Sequence, residues 1–288
     1  MLGTMLSFWP SIVLLSIVQG LLVALPGPLR GPRLARLRSG RWAVIPPLSV
    51  VGFVFVTRAA ENASADGLTY LALVCVPVLA ALALGVLARG ARGWAAALVI
   101  PLFALAWADR GGLPGEAAAL ALTGLSCVSL GVLLAAVTPP RWLGWGIVLM
   151  ALADAALVTA DLLQRPNNAL NAAHPAAGLP RLQSAVLGSA VMGYGDLFIA
   201  AALGALLASE FGLAEQLRGA VLVAVLALLF DLLFLAVEEL PATVPVATAL
   251  VLIVLRRRRR GLEALPEERT ARRLAPARAG PVRGPLVP

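Results

Sequence analysis

Long apolar runs of about 15–25 residues, broken by short clusters of Pro, Gly and Arg, dominate the chain. Runs of that length suit helices crossing a hydrocarbon layer about 30 Å thick. Nine are distinguished, over 6–25, 42–57, 68–88, 94–108, 117–137, 142–163, 184–208, 219–237 and 241–255, and the second, fourth and ninth are the shortest. The connections, PGPLRGPRLARLRSGR and DRGGLPGE among them, are rich in helix-ending residues. No internal repeat stands out. The pattern predicts an all-α polytopic membrane protein with about nine transmembrane helices. Residues 1–141 carry the first five, 142–255 the last four, and 256–288 form a tail.

Composition supports that class. Hydrophobic residues make up 60% of the chain and charged residues 13%, about half the charged share usual in a soluble domain. The net charge of +8 comes from 23 basic residues, all of them arginine, which lie between the apolar runs and read as topology signals. With the first loop inside, arginines 30, 33, 36, 38, 41, 89, 92, 141 and 218 fall on the cytoplasmic side, together with the ten from 256 to 283. Arg58, Arg110, Arg165 and Arg181 remain outside. The positive-inside rule then predicts an outer N-terminus and a cytoplasmic C-terminus, which needs an odd number of spans. The chain begins directly in an apolar run with no basic leader, so the first run reads as a retained span.

The tail has too little apolar surface for a core and is expected to be disordered. Its opening run, Arg256, Arg257, Arg258, Arg259 and Arg260, reads as a stop-transfer signal and an anchor for anionic lipids. No aromatic residues interleave with it, and no nucleic-acid partner is expected. Cys75 and Cys127 both fall inside apolar runs, so no disulfide framework is implied.

Two acids interrupt the apolar pattern where interruption is costly: Asp154 in WLGWGIVLMALADAALV and Asp196 in SAVLGSAVMGYGDLFIAAALGALLA. A carboxylate in hydrocarbon costs roughly 2.5–3.5 kcal/mol on insertion scales, so each marks a candidate functional site. Each stands 12 residues into its run, from Trp142 and Ser184 respectively, or about 18 Å along a helix. On consecutive antiparallel spans the two can meet near mid-membrane. Paired carboxylates sharing a proton can perform general acid/base chemistry on water. Gly193 and Gly195 bracket Tyr194 just before Asp196, and glycines there permit close approach and loosen a helix.

A third element opens the ninth run, where Glu238 and Glu239 precede Leu240, Pro241, Ala242, Thr243, Val244 and Pro245. Two prolines four apart predict an irregular segment that faces protein or a cavity. Of the remaining polar groups, Asp161 lies one face-repeat above Asp154 and reads as an interfacial acid near Arg165. Asp231 also reaches mid-membrane, as an additional acid, a proton relay or a structural partner. His174, in the outer loop NNALNAAHPAAGLP, has no metal-ligand spacing around it, so no metal or other cofactor is implied. Ser126 and Ser129 have no His base at membrane depth, and Asn62-Ala63-Ser64 is a glycosylation sequon only in a host that modifies it.

Taken together, Ala153-Asp154 in the sixth run, Gly193-Tyr194-Gly195-Asp196 in the seventh and Pro241-Ala242-Thr243 at the ninth resemble the presenilin and signal peptide peptidase family of intramembrane aspartyl proteases. That family has nine spans, Tyr-Asp in the sixth, Gly-x-Gly-Asp in the seventh and Pro-Ala-Leu at the ninth. Leu179-Pro180-Arg181-Leu182 also resembles the family's approach to the seventh span. Ala153 stands here for the Tyr and Thr243 for the Leu.

The resemblance covers roughly residues 142–255, and the expected orientation is similar to that of the signal peptide peptidase branch. It implies a presenilin-like bundle and a catalytic pair of Asp154 and Asp196 that hydrolyses peptide bonds of transmembrane or signal-peptide-like substrates. Gly193, Tyr194, Gly195, Pro241, Ala242 and Thr243 are then implied to position substrate. The type IV prepilin peptidase family shares Gly-x-Gly-Asp, and on that pattern Asp161, shortly before Pro166-Asn167, would replace Asp154. Phe198 stands where that family has Lys. A third reading makes Asp154, Asp196 and Asp231 the pathway of a proton- or cation-coupled carrier.

Overall fold

The computed structural model describes residues 8–29, 34, 36–59, 61–173, 178–237 and 240–259. Arg30, Arg33, His174, Glu238, Glu239, Arg260 and the rest of the tail lie outside the described residues, as do the side chains of Arg58, Asn62 and Arg165. Among the described residues the helices are α1 (Phe8–Ala24), α2 (Ile45–Ala59), α3 (Glu61–Leu82), α4 (Val99–Ala108), α5 (Leu113–Val137), α6 (Pro140–Thr159), α7 (Gln164–Ala172), α8 (Tyr194–Glu210), α9 (Leu213–Asp231) and α10 (Val244–Arg259). Short 3-10 turns lead into α2 and α4, a π-turn (Ala83–Leu87) extends α3, and a 3-10 turn (Leu232–Leu235) extends α9.

Among the described residues four helical stretches are long and apolar enough to cross a membrane: Ala65–Leu87, Leu113–Val137, Pro140–Thr159 and Leu213–Leu235. Three apolar helical stretches are shorter, Phe8–Ala24, Gly40–Val56 and Gly93–Ala108. Large apolar side chains such as Phe55, Val74, Val78, Ile100, Val221 and Leu229 are exposed on the outer helix faces. In water such a surface would drive association, whereas in lipid it is the expected exterior. This is an all-α membrane protein.

The seventh apolar run departs from its expected form. Residues 184–208 do not make one helix: Ser184–Leu187 (β1) and Ala190–Gly193 (β2) pair antiparallel, Ser184 opposite Gly193 and Leu187 opposite Ala190. The two-residue turn places Gly188 at φ 60°, a conformation open to glycine at little cost. Gly-Ser between two apolar strands is a hairpin signal. Only then does α8 begin, at Tyr194. The glycines around Tyr194 therefore do not loosen the middle of a helix. Gly193 ends β2 as the N-cap of α8, and Gly195 lies in its first turn. The loop after α6 also contains α7, which the apolar pattern does not announce.

At the centre stands α8. Every residue from Leu197 to Ala208 is buried, as expected for a helix enclosed on all sides. It packs against α1, α5, α6, α9 and α10, while α3 and α4 pack on α5. Small residues set these distances. A Cβ on Gly131 of α5 would lie 2.7 Å from the Ala201 backbone, and one on Gly204 would lie 2.3 Å from the Val23 carbonyl oxygen of α1.

The end of α1 is tied down by one buried side chain. Gln216 Nε2 of α9 donates to the carbonyls of Val23 (2.8 Å) and Pro26 (3.0 Å). The Arg89 guanidinium donates in turn to Gln216 Oε1. The Arg89 backbone N–H donates to Leu25 O at 2.7 Å, and that of Gly27 to Leu87 O at 2.9 Å. Carbonyls left open at a helix end are thus satisfied inside the protein, as hydrocarbon requires.

Gly204→Ala decides between two opposed effects. Alanine favours a helix by about 1 kcal/mol over glycine, but its Cβ would meet the backbone of α1. We expect stability to fall by about 1–3 kcal/mol, read as a lower unfolding temperature in detergent; a higher temperature would show that α1 is free to retreat.

Candidate active site

Asp154 stands on α6, fifteen residues into the helix by its bounds, and is only 8% exposed. Thr243 Oγ1, itself buried, donates to Asp154 Oδ2 at 2.6 Å. That bond joins α6 to the segment before α10. Residues 240–243 there are not helical, and α10 starts at Val244. Pro245 consequently falls in the first helical turn, where a missing N–H costs nothing. The expected irregularity thus spans residues 240–243 rather than the whole of 241–245. Gln19 Nε2 of α1 donates to Ala242 O at 2.8 Å, giving this bent backbone one of its partners.

Asp196 occupies the third position of α8 and accepts a hydrogen bond from the Gly193 N–H at 3.1 Å. Its depth therefore follows from the start of α8, not from twelve helical residues after Ser184. The helices that carry the two acids pack against one another. Met150, one turn before Asp154 on α6, touches the start of α8, since a Cβ on Gly195 would lie 3.1 Å from Met150 Cε.

A small cleft of about 70 Å³ opens beside Asp196, lined also by Met192 of β2, Asp231 and Phe230 of α9, and Ala242 before α10. Such a volume admits a few water molecules. Pro241 is half-buried next to it, and Tyr194 turns the other way: its OH lies 2.8 Å from Ser126 Oγ of α5, and Cys127 Sγ approaches its carbonyl at 3.8 Å. Tyr194 thus anchors α8 to α5. Among the described residues no three His, Cys, Asp or Glu side chains converge as metal ligands would.

Asp161 is not an extension of the α6 face. The helix ends at Thr159, and Asp161 follows in a turn, exposed, with φ of 53°. Asp231, at the end of α9, accepts a 2.6 Å bond from Ser16 Oγ of α1. Ser16 and Gln19 were not singled out by sequence reasoning. The available signal is their i, i+3 spacing, which puts two polar groups on one face of an otherwise apolar helix.

The hairpin is held at its tip. Gly188 N donates to Glu116 Oε2 of α5 at 2.6 Å, and Ser189 N to Ser11 Oγ of α1 at 3.3 Å. Comparison with family models, with characterised proteins and with solved structures yields no significant match.

Removing the Thr243 hydroxyl takes from a buried carboxyl its side-chain donor. Thr243→Val should lower stability by about 1–3 kcal/mol, while Thr243→Ser should retain most of it, as measured by thermal unfolding in detergent. Equal losses for the two variants would assign the effect to packing rather than to the bond.

Proposed function

We propose that the protein is an intramembrane aspartyl protease in which Asp154 and Asp196 act as a pair on a peptide bond of a membrane-spanning or signal-peptide-like substrate. The observation that carries this reading is the 2.6 Å bond from Thr243 to Asp154, with Met150 of the same helix packed on Gly195, next to Asp196. Three stretches far apart in sequence, on α6, at the start of α8 and before α10, thus converge on two acids. The Asp161 alternative has no comparable support, because that residue is exposed beyond the end of α6.

In the proposed reaction a water molecule lies between the carboxyl groups. The ionised member takes a proton from the water, whose oxygen attacks the carbonyl carbon. The protonated member gives its proton to the carbonyl oxygen. Collapse of the resulting gem-diol breaks the C–N bond as a proton passes to the leaving nitrogen. The two protonation states belong to the coupled pair rather than to either residue.

An extended substrate has a place to bind. Among the described residues the sheet consists of β1 and β2, which leaves one edge of β2 without a strand, and Val191 on it is 48% exposed. Val191 and Met192 line the cleft with Asp196 and Ala242. A peptide added to that edge would gain main-chain hydrogen bonds and lie against the acids.

The same reading has nine spans, with the N-terminus outside and the C-terminus in the cytoplasm. Arg256 and Arg259 at the end of α10, beside Leu252 and Leu255, would then meet anionic lipid headgroups.

Asp154→Asn and Asp196→Asn should each reduce cleavage of a transmembrane reporter by at least about 10²-fold without preventing insertion. Asparagine at 196 can still accept the Gly193 bond, so its loss of activity would report chemistry rather than capping. Normal cleavage by both variants rules out aspartyl catalysis. Pro241→Leu, which lets the helix extend backwards, should cut turnover sharply in a folded protein. Undiminished turnover would detach residues 240–243 from substrate handling.

A further inference from the structure

The cleft holds a second acid that the aspartate pair does not require. Asp231 stands at the end of α9 and takes one hydrogen bond, from Ser16; among the described residues it has no other partner. A carboxylate offers about four acceptor sites, so most of its capacity remains open. No arginine among the described residues lines the cleft, and the chain contains no lysine at all. An acid within an apolar span normally pairs with a cation or with several donors. Among the described residues Asp231 has one donor, Ser16, and no cation.

Three features of the cleft favour a positive guest. Asp231 supplies a formal charge. The end of α9 and its 3-10 extension present the negative end of a helix dipole. Phe230 and Phe234 both line the cleft, and aromatic faces attract cations. Phe234 is held in place by Phe8, edge to face at a centroid distance of 5.4 Å. The volume of about 70 Å³ suits a compact ammonium better than a planar guanidinium.

We propose that this cleft is a specificity pocket for a lysine side chain of the substrate, its ammonium seated between Asp231 and the rings of Phe230 and Phe234. The proposal rests on the protease reading, since Asp196 lines the same cleft and a lysine held there lies close to the reacting bond. Met192 and Ala242 would cover its aliphatic stem. Ser16 is a positioning residue that fixes the Asp231 carboxyl.

The test uses the full chain in detergent micelles, carrying Asp154→Asn to prevent turnover. Fluorescent transmembrane peptides place one lysine, or the neutral norleucine of similar shape, at successive positions. Binding is read by anisotropy. In one register the lysine peptide should bind about tenfold tighter than its norleucine counterpart. Asp231→Asn should erase that preference, and Asp231→Glu should keep most of it. Equal affinities in every register, or a preference that survives Asp231→Asn, overturns the pocket.

Should Asp231→Asn fail to fold, Phe230→Leu replaces it, with a severalfold loss of preference expected and an unchanged preference overturning the proposal. The two readings fail separately. Lysine preference without cleavage by the wild-type protein removes the protease and leaves the pocket. Cleavage dependent on Asp154 and Asp196 without lysine preference does the reverse.

Discussion

Burial of α8 on every side is the constraint from which the site follows. In a bilayer, apolar side chains gain little by leaving lipid for one another, so close packing and internal hydrogen bonds must hold helices together. The sequence of α8 meets that demand with Ala200, Ala201, Ala202, Gly204 and Ala205, all of them buried. Backbones of α1 and α5 can then approach it directly at Gly204 and Gly131. A helix so enclosed has little freedom to tilt or slide, and Asp196 in its first turn inherits that rigidity.

Around this axis the polar groups form a connected set, not scattered exceptions. Ser16 and Gln19 of α1 reach Asp231 and the Ala242 carbonyl, while Thr243 reaches Asp154. Each of these bonds crosses between distant parts of the chain, so each also fixes the relative placement of two elements. The bent backbone at residues 240–243 is tolerable in a membrane only because protein covers it, and Gln19 is part of that cover. The same groups that satisfy the backbone therefore hold the walls of the cleft.

The apolar runs were legible because lipid demands length and hydrophobicity together, and helices stand in each of them. The hairpin at 184–193 was not, although Gly188-Ser189 marks its turn. A continuous apolar run cannot be assigned to strand or helix by periodicity alone, and Ser184, Ala185, Leu187, Ala190 and Met192 are buried either way. Merging the hairpin with α8 misplaced the reckoning of Asp196 by ten residues of helix that do not exist. What sets the start of α8 beside α6 is the packing of Met150 on Gly195. Gln216 was invisible for the opposite reason: its partners are backbone carbonyls of α1, which leave no mark in sequence.

Which acid partners Asp196 turns on where α6 stops. Asp154 and Asp161 are seven apart, and on an unbroken helix both would lie on one face. The helix ends at Thr159, before the second of them, and the chain reverses through Asp161 at φ 53°. Aspartate tolerates that left-handed conformation better than most residues, which gives Asp161 a local structural reason for its identity. Asp154 has no such reason: it sits mid-helix, where aspartate is a poor helix former, and is buried at a cost that a purely structural residue would avoid. Its bond to Thr243 is the compensation the structure provides. The local conflict at Asp154 is thus offset by a side chain from another element, where that at Asp161 is resolved within its own turn.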